Sequence, residues 1–178
     1  MNWLKFTALI ILAGCILSFS IDDANAFQME SRYCTITYSS NDNLRKFNND
    51  LYMGRLRSQI KNNGDTIQDE VAAKINFIVE KVMTVLDMFP PEMKFSIVIE
   101  PTEKEVQQDF FRLYNVKVDY IGFYSPSKNI VFYSADNIDL RIVSHEIGHV
   151  VVKHYFKVPP PQRIHELLAE FAAKHVTD

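Results

Sequence analysis

Ile142-Val143-Ser144-His145-Glu146-Ile147-Gly148-His149-Val150-Val151 is the stretch whose reading decides the rest of the chain. It holds no proline, and apolar residues flank its polar ones, which predicts a helix. Residues four apart lie nearly on one line down a helix. His145 and His149 therefore project the same way and are spaced to grip one metal ion. Glu146 sits about a quarter-turn aside, within reach of a water on that metal. Two neutral imidazoles and one carboxylate base are what metal-assisted hydrolysis requires. The competing reading is a pair of core histidines beside a surface carboxylate. Against it, polar side chains in so apolar a run are costly to bury without a partner, and a metal ion is one.

A catalytic zinc usually takes three protein ligands and leaves a position for water. The candidates for the third lie in His165-Glu166-Leu167-Leu168-Ala169-Glu170. Glu166 and Glu170 are four apart and share a helix face, with Leu167, Leu168 and Phe171 expected to turn toward the core. His165 is an alternative ligand, about 100° off that face. Val158-Pro159-Pro160-Pro161 separates the two helices and is short enough for them to pack antiparallel. Three prolines cannot continue a helix, but Pro161 can start the next one. His154 should face away from His149, and His175 should be solvated near the C-terminus. Tyr124, Tyr133 and Tyr155 are possible oxyanion donors, though such aromatics more often serve packing.

His145-Glu146-Ile147-Gly148-His149 followed by Glu166-Leu167-Leu168-Ala169-Glu170 resembles the gluzincin group of zinc metallopeptidases, in particular its small peptidase MA-like members. The resemblance implies Glu166 as the third zinc ligand and Glu170 as the residue that supports a zinc histidine from behind. It implies Zn2+ as cofactor, peptide or protein as substrate, and a zincin-like fold. In that fold a small mixed sheet precedes the active-site helix and another helix follows it. The metzincin pattern fits less well: it wants a glycine and a third histidine where this chain has Val152 and Tyr155. Larger gluzincins draw a transition-state-stabilising Tyr or His from beyond the second motif, and no residue here is assigned that role. A catalytically inactive or structural-zinc binding protein of the cell envelope is therefore the alternative function.

The chain has 178 residues, 47% of them hydrophobic, enough for one domain with a real core. A net charge of −3 gives no basic surface for nucleic acid. Residues 1–26 read as a signal peptide: Lys5, an apolar run from Phe6 to Ile21, and Ala24-Asn25-Ala26 as a small-x-small cleavage site. The mature domain would span residues 27–178 and be exported, to the periplasm or outside the cell. Leu12-Ala13-Gly14-Cys15 offers a rival, a lipobox that would anchor the protein to a membrane through Cys15. After cleavage at Ala26, Cys34 would be the single cysteine of the mature chain, read as a small buried residue on a strand.

The remaining pattern predicts an α+β fold with about four strands: Tyr33 to Tyr38, Lys94 to Ile99, Val118 to Tyr124 and Asn129 to Ser134. Gly122 suggests a bulge or a close backbone approach. Helices are expected from about Asp42 to Lys61, from Thr66 to the Pro90-Pro91 stop, from Glu103 to Tyr114, from Leu140 to Tyr155, and from Gln162 to Val176. Asp69 after Thr66 reads as a weak capping box, and Val71, Ile75, Ile78, Val82, Leu86 and Phe89 as the apolar stripe of the second helix. The oligomeric state is not encoded in any of these patterns.

Overall fold

Alternation of apolar residues builds the sheet in the computed structural model, which describes residues 26–61 and 64–178. The leader expected over residues 1–26, Cys15 included, lies outside the described residues apart from Ala26. Five strands, β1 (Phe27–Glu30), β2 (Cys34–Tyr38), β3 (Phe95–Glu100), β4 (Gly122–Ser125) and β5 (Ile130–Ser134), pair in the order β1-β2-β3-β5-β4. The three inner strands β2, β3 and β5 run parallel, and each edge strand is antiparallel to its neighbour. The sheet is thus mixed, as expected, with one strand more than the sequence suggested. The extra strand is β1, a short edge strand that is mostly exposed and so carries no buried alternation to reveal it.

Register lines up two apolar rows across the sheet, Ile36-Ile97-Val131-Tyr124 and Tyr38-Ile99-Tyr133-Gly122. Both rows face the main core. A β-carbon on Gly122 would come within 2.8 Å of the Tyr133 ring, so the close approach read from this glycine is real. The other face carries Phe123 and Phe132, stacked at 4.7 Å, and is covered by α3 (Glu103–Tyr114) through Phe110. β4 is therefore buried on both sides although it is an edge strand.

The core face is covered by α1 (Asn41–Asp50), α2 (Ile67–Leu86) and α4 (Leu140–Tyr155), and α5 (Gln162–His175) packs against α4 and α2. The helix expected from Asp42 to Lys61 is in fact α1 followed by a separate 3-10 segment, Gly54–Gln59. Asn48-Asn49-Asp50 are weak helix formers, and Gly54 takes a left-handed φ of 53°. The buried Lys74 ammonium of α2 donates to the carbonyls of Asn48 and Leu51, satisfying the end of α1. Thr66 and Asp69 form the capping box in full. α2 stops earlier than the two prolines would require, at Leu86, because Asp87 adopts a left-handed cap; Phe89 is consequently exposed. The expected strand from Val118 begins only at Gly122, whereas α3 and α4 have the bounds expected.

α5 shows the largest correction. Leu167, Leu168 and Phe171 were expected to face the core, but Leu167 and Phe171 are 63% and 46% exposed and Leu168 is only half-buried. The buried face is His165, Ala169, Ala172 and Ala173. Gly148 of α4 explains the rotation: a β-carbon there would lie 2.9 Å from the Ala169 Cα, so the two helices touch backbone to backbone. Only small residues fit such an interface. Among the described residues no helix is long and apolar enough to cross a membrane.

Candidate metal centre

Asp139 starts α4 by accepting the Ile142 N–H at 2.7 Å, and Val143, Ile147, Val150 and Val151 anchor the helix in the core. The fully buried Tyr133 hydroxyl donates to the Val143 carbonyl at 2.9 Å, fixing α4 against β5. With that face inward, His145 and His149 emerge together toward α5. Their Nε2 atoms are 3.1 Å apart. Glu166 Oε2, from the first turns of α5, lies 3.4 Å from His149 Nε2 and 3.6 Å from His145 Nε2.

These three atoms form a nearly regular triangle. Donors about 2.0–2.1 Å from a tetrahedral zinc are about 3.3–3.4 Å from one another. The triangle therefore fits one such ion, and the donor set of two imidazoles and a carboxylate suits it. The centre is open on one side: His149 is only 12% exposed, but the Glu166 side chain is 49% exposed. Burial, then the neighbouring His145 and His165, push the His149 pKa down to about 3, so its ring is neutral with a lone pair to offer.

Each ligand is held from behind. Gln162 donates to Glu166 Oε1 at 2.6 Å, leaving Oε2 for the triangle. Glu170 Oε1 is fixed by Arg141 at 2.6 Å and by Lys174 at 3.3 Å, and its Oε2 lies 3.7 Å from His145 Nδ1. The Arg141 hydrogen bond holds the Glu170 carboxyl below the usual range. Glu170 thus stands behind His145. Sequence reasoning gave His165 a different part, that of an alternative ligand. Its ring is instead buried behind His149, Nδ1 to Nδ1 at 2.7 Å. The signal that could have found it is the small-residue spacing of His165, Ala169 and Ala172, which marks the buried face.

Glu146 points to the other side of the centre. Its carboxyl faces the Tyr124 backbone N–H on the outer side of β4, an edge strand. Burial pushes the Glu146 pKa up to about 8, with the Tyr124 N–H pulling it down and the Glu166 charge pushing it further up. A cation in the triangle would oppose that rise. Tyr133 cannot serve as an oxyanion donor, being fully buried with its hydroxyl engaged by Val143. The Tyr124 hydroxyl bonds Asn129 at 2.9 Å, and Tyr155 is exposed at the far end of α4, against Phe156. His154 bonds the Val150 carbonyl, outside the triangle, and His175 pairs with Asp178 near the C-terminus, exposed as expected. Cys34 is buried on β2, and burial pushes its thiol up to about 12, leaving it inert. No family model, curated protein or solved structure matches the chain.

Proposed function

We propose that this protein is an exported zinc-dependent hydrolase of peptide bonds. The observation that carries the reading is the triangle of His145, His149 and Glu166 donors, open to solvent on one side, beside the half-buried Glu146. A structural zinc is enclosed by four protein ligands, whereas a catalytic one keeps a position free. Zinc, when bound, would supply Lewis acidity and a water acidified toward neutrality. With the ion in place, Glu146 would be the group to take a proton from water and return it to the leaving amine. The free edge of β4 runs alongside Glu146, and an extended peptide added there as a further strand would bring its carbonyl to the centre. β5 is interior to the sheet, so β4 is the strand that offers this edge. The resemblance to small gluzincins supports the same assignment.

A second reading, a zincin-like binding protein without turnover, is favoured by one observation: Tyr124 and Tyr133 hydroxyls are both engaged elsewhere, leaving no assigned oxyanion donor. Glu146→Gln separates the two readings. Cleavage of a mixed peptide library, followed by mass spectrometry, is expected to fall by about 10²–10⁴-fold in the variant, with zinc content unchanged. Equal cleavage by the variant and the wild type contradicts the mechanism. Absence of cleavage in the zinc-loaded wild type favours the binding protein.

A further inference from the structure

His165 is a buried histidine, 9% exposed, on an otherwise alanine-lined face, and it contributes no atom to the donor triangle. Its Nδ1 is 2.7 Å from His149 Nδ1. The two rings are inclined by only 25° with centroids 4.9 Å apart. Combined with the short nitrogen contact, that separation puts the rings nearly in one plane, edge to edge. An N–H on one ring then points straight at the in-plane lone pair of the other. A neutral imidazole has one N–H and one bare nitrogen, and His149 presents Nε2 to the donor triangle.

We propose that His165 is a positioning residue for the metal centre: its Nδ1 accepts the Nδ1–H of His149, holding the tautomer whose bare Nε2 faces the ion. The proposal rests on the metal-centre reading above. Metal-bound histidines commonly donate their second N–H to a carboxylate, carbonyl or water, which fixes tautomer and ring orientation. Here the two histidines are served differently. Glu170 stands behind His145, and a third imidazole stands behind His149. Because α5 carries Glu166 and His165 on adjacent residues, docking this one helix supplies a ligand and the support of another ligand together.

The test compares wild type, His165→Asn and His165→Leu. Asparagine retains an acceptor near the Nδ1 position, and leucine fills the space without one. Zinc dissociation constants are measured by competition with a chromophoric chelator, and the His149 tautomer by ¹⁵N NMR of the zinc-free protein. The expected result is Nδ1–H on His149 in wild type, zinc binding weakened about 10–100-fold in His165→Leu, and binding within a few-fold of wild type in His165→Asn. Wild-type affinity in His165→Leu overturns the proposal while leaving the metal centre standing. Equal loss in both variants assigns His165 to packing and also overturns it. An Nε2–H tautomer on wild-type His149 overturns it even if neither variant folds. A wild type that binds no zinc removes the metal centre, and this inference with it.

Discussion

The Glu166 carboxylate is divided between two tasks, one oxygen held by Gln162 and the other turned to the imidazoles. That division was legible only in part. The spacing of His145 and His149 fixes their shared direction through helix geometry alone, and Glu146 follows from the same count. His165 was not legible, because adjacency to Glu166 says nothing about which face of α5 is buried. A residue far from the centre offers an independent check of the electrostatics. Glu100 at the end of β3 faces the Asp109 carboxylate, whose Oδ1 pairs with Arg112 at 2.7 Å and whose buried Oδ2 has no hydrogen-bond partner. Burial, then the Asp109 charge, push the Glu100 pKa up to about 7 from 4.5. Between those values the unfolded chain releases the proton and the folded one keeps it, so stability falls as pH rises through this window and is level above it. Glu100→Gln removes the titration. Its Tm relative to wild type should rise between about pH 5 and 7, by about 2–4 °C once solvent screening of a partly exposed group is allowed for. A Tm difference that stays flat across that range contradicts the assignment.

At the scale of elements, periodicity located α3 and α4 to the residue but misjudged the rotation of α5. The eye follows large apolar side chains, and Ile164, Leu167 and Phe171 form a convincing stripe. What decides the rotation is instead how closely two backbones can approach, and that depends on Gly148 meeting Ala169. Had α5 buried its large residues, the helices would stand further apart, and Glu166 would sit on a different face. Gly148→Ala tests this contact. The substitution improves helix propensity by about 1 kcal/mol, yet forces a β-carbon against backbone at a typical cost of about 1–3 kcal/mol. Overpacking wins on balance, so Tm should drop by about 2–4 °C. Zinc affinity should fall with it, by about tenfold, because Glu166 moves with α5. A variant more stable than wild type with unchanged zinc affinity would show that the close packing is not what positions the ligand. Breaks in the other helices were harder to see. Asp87 and Gly54 end or interrupt helices through left-handed backbone, which apolar spacing does not report.

Over the whole molecule, the sheet places its central parallel strands in the core and its antiparallel edge strand β4 beside α4, so the free edge and the metal-binding face adjoin. The α+β class was readable because β2, β3 and β5 alternate or run apolar, whereas the mixed strand directions were only what the resemblance implied. β1 was not, since an exposed edge strand lacks that contrast. The rotation of α5 leaves its large apolar residues on the surface next to Glu166, giving the molecule an apolar flank beside its acidic and imidazole donors. The central claim is that α4 and α5 together bind one divalent ion through His145, His149 and Glu166. Calorimetric titration of zinc into chelator-stripped protein tests it most directly, with His149→Ala and Glu166→Ala alongside. The account predicts one equivalent bound by wild type and no stoichiometric binding by either variant; a wild type that takes up no ion, or variants that bind as tightly as it does, would contradict it.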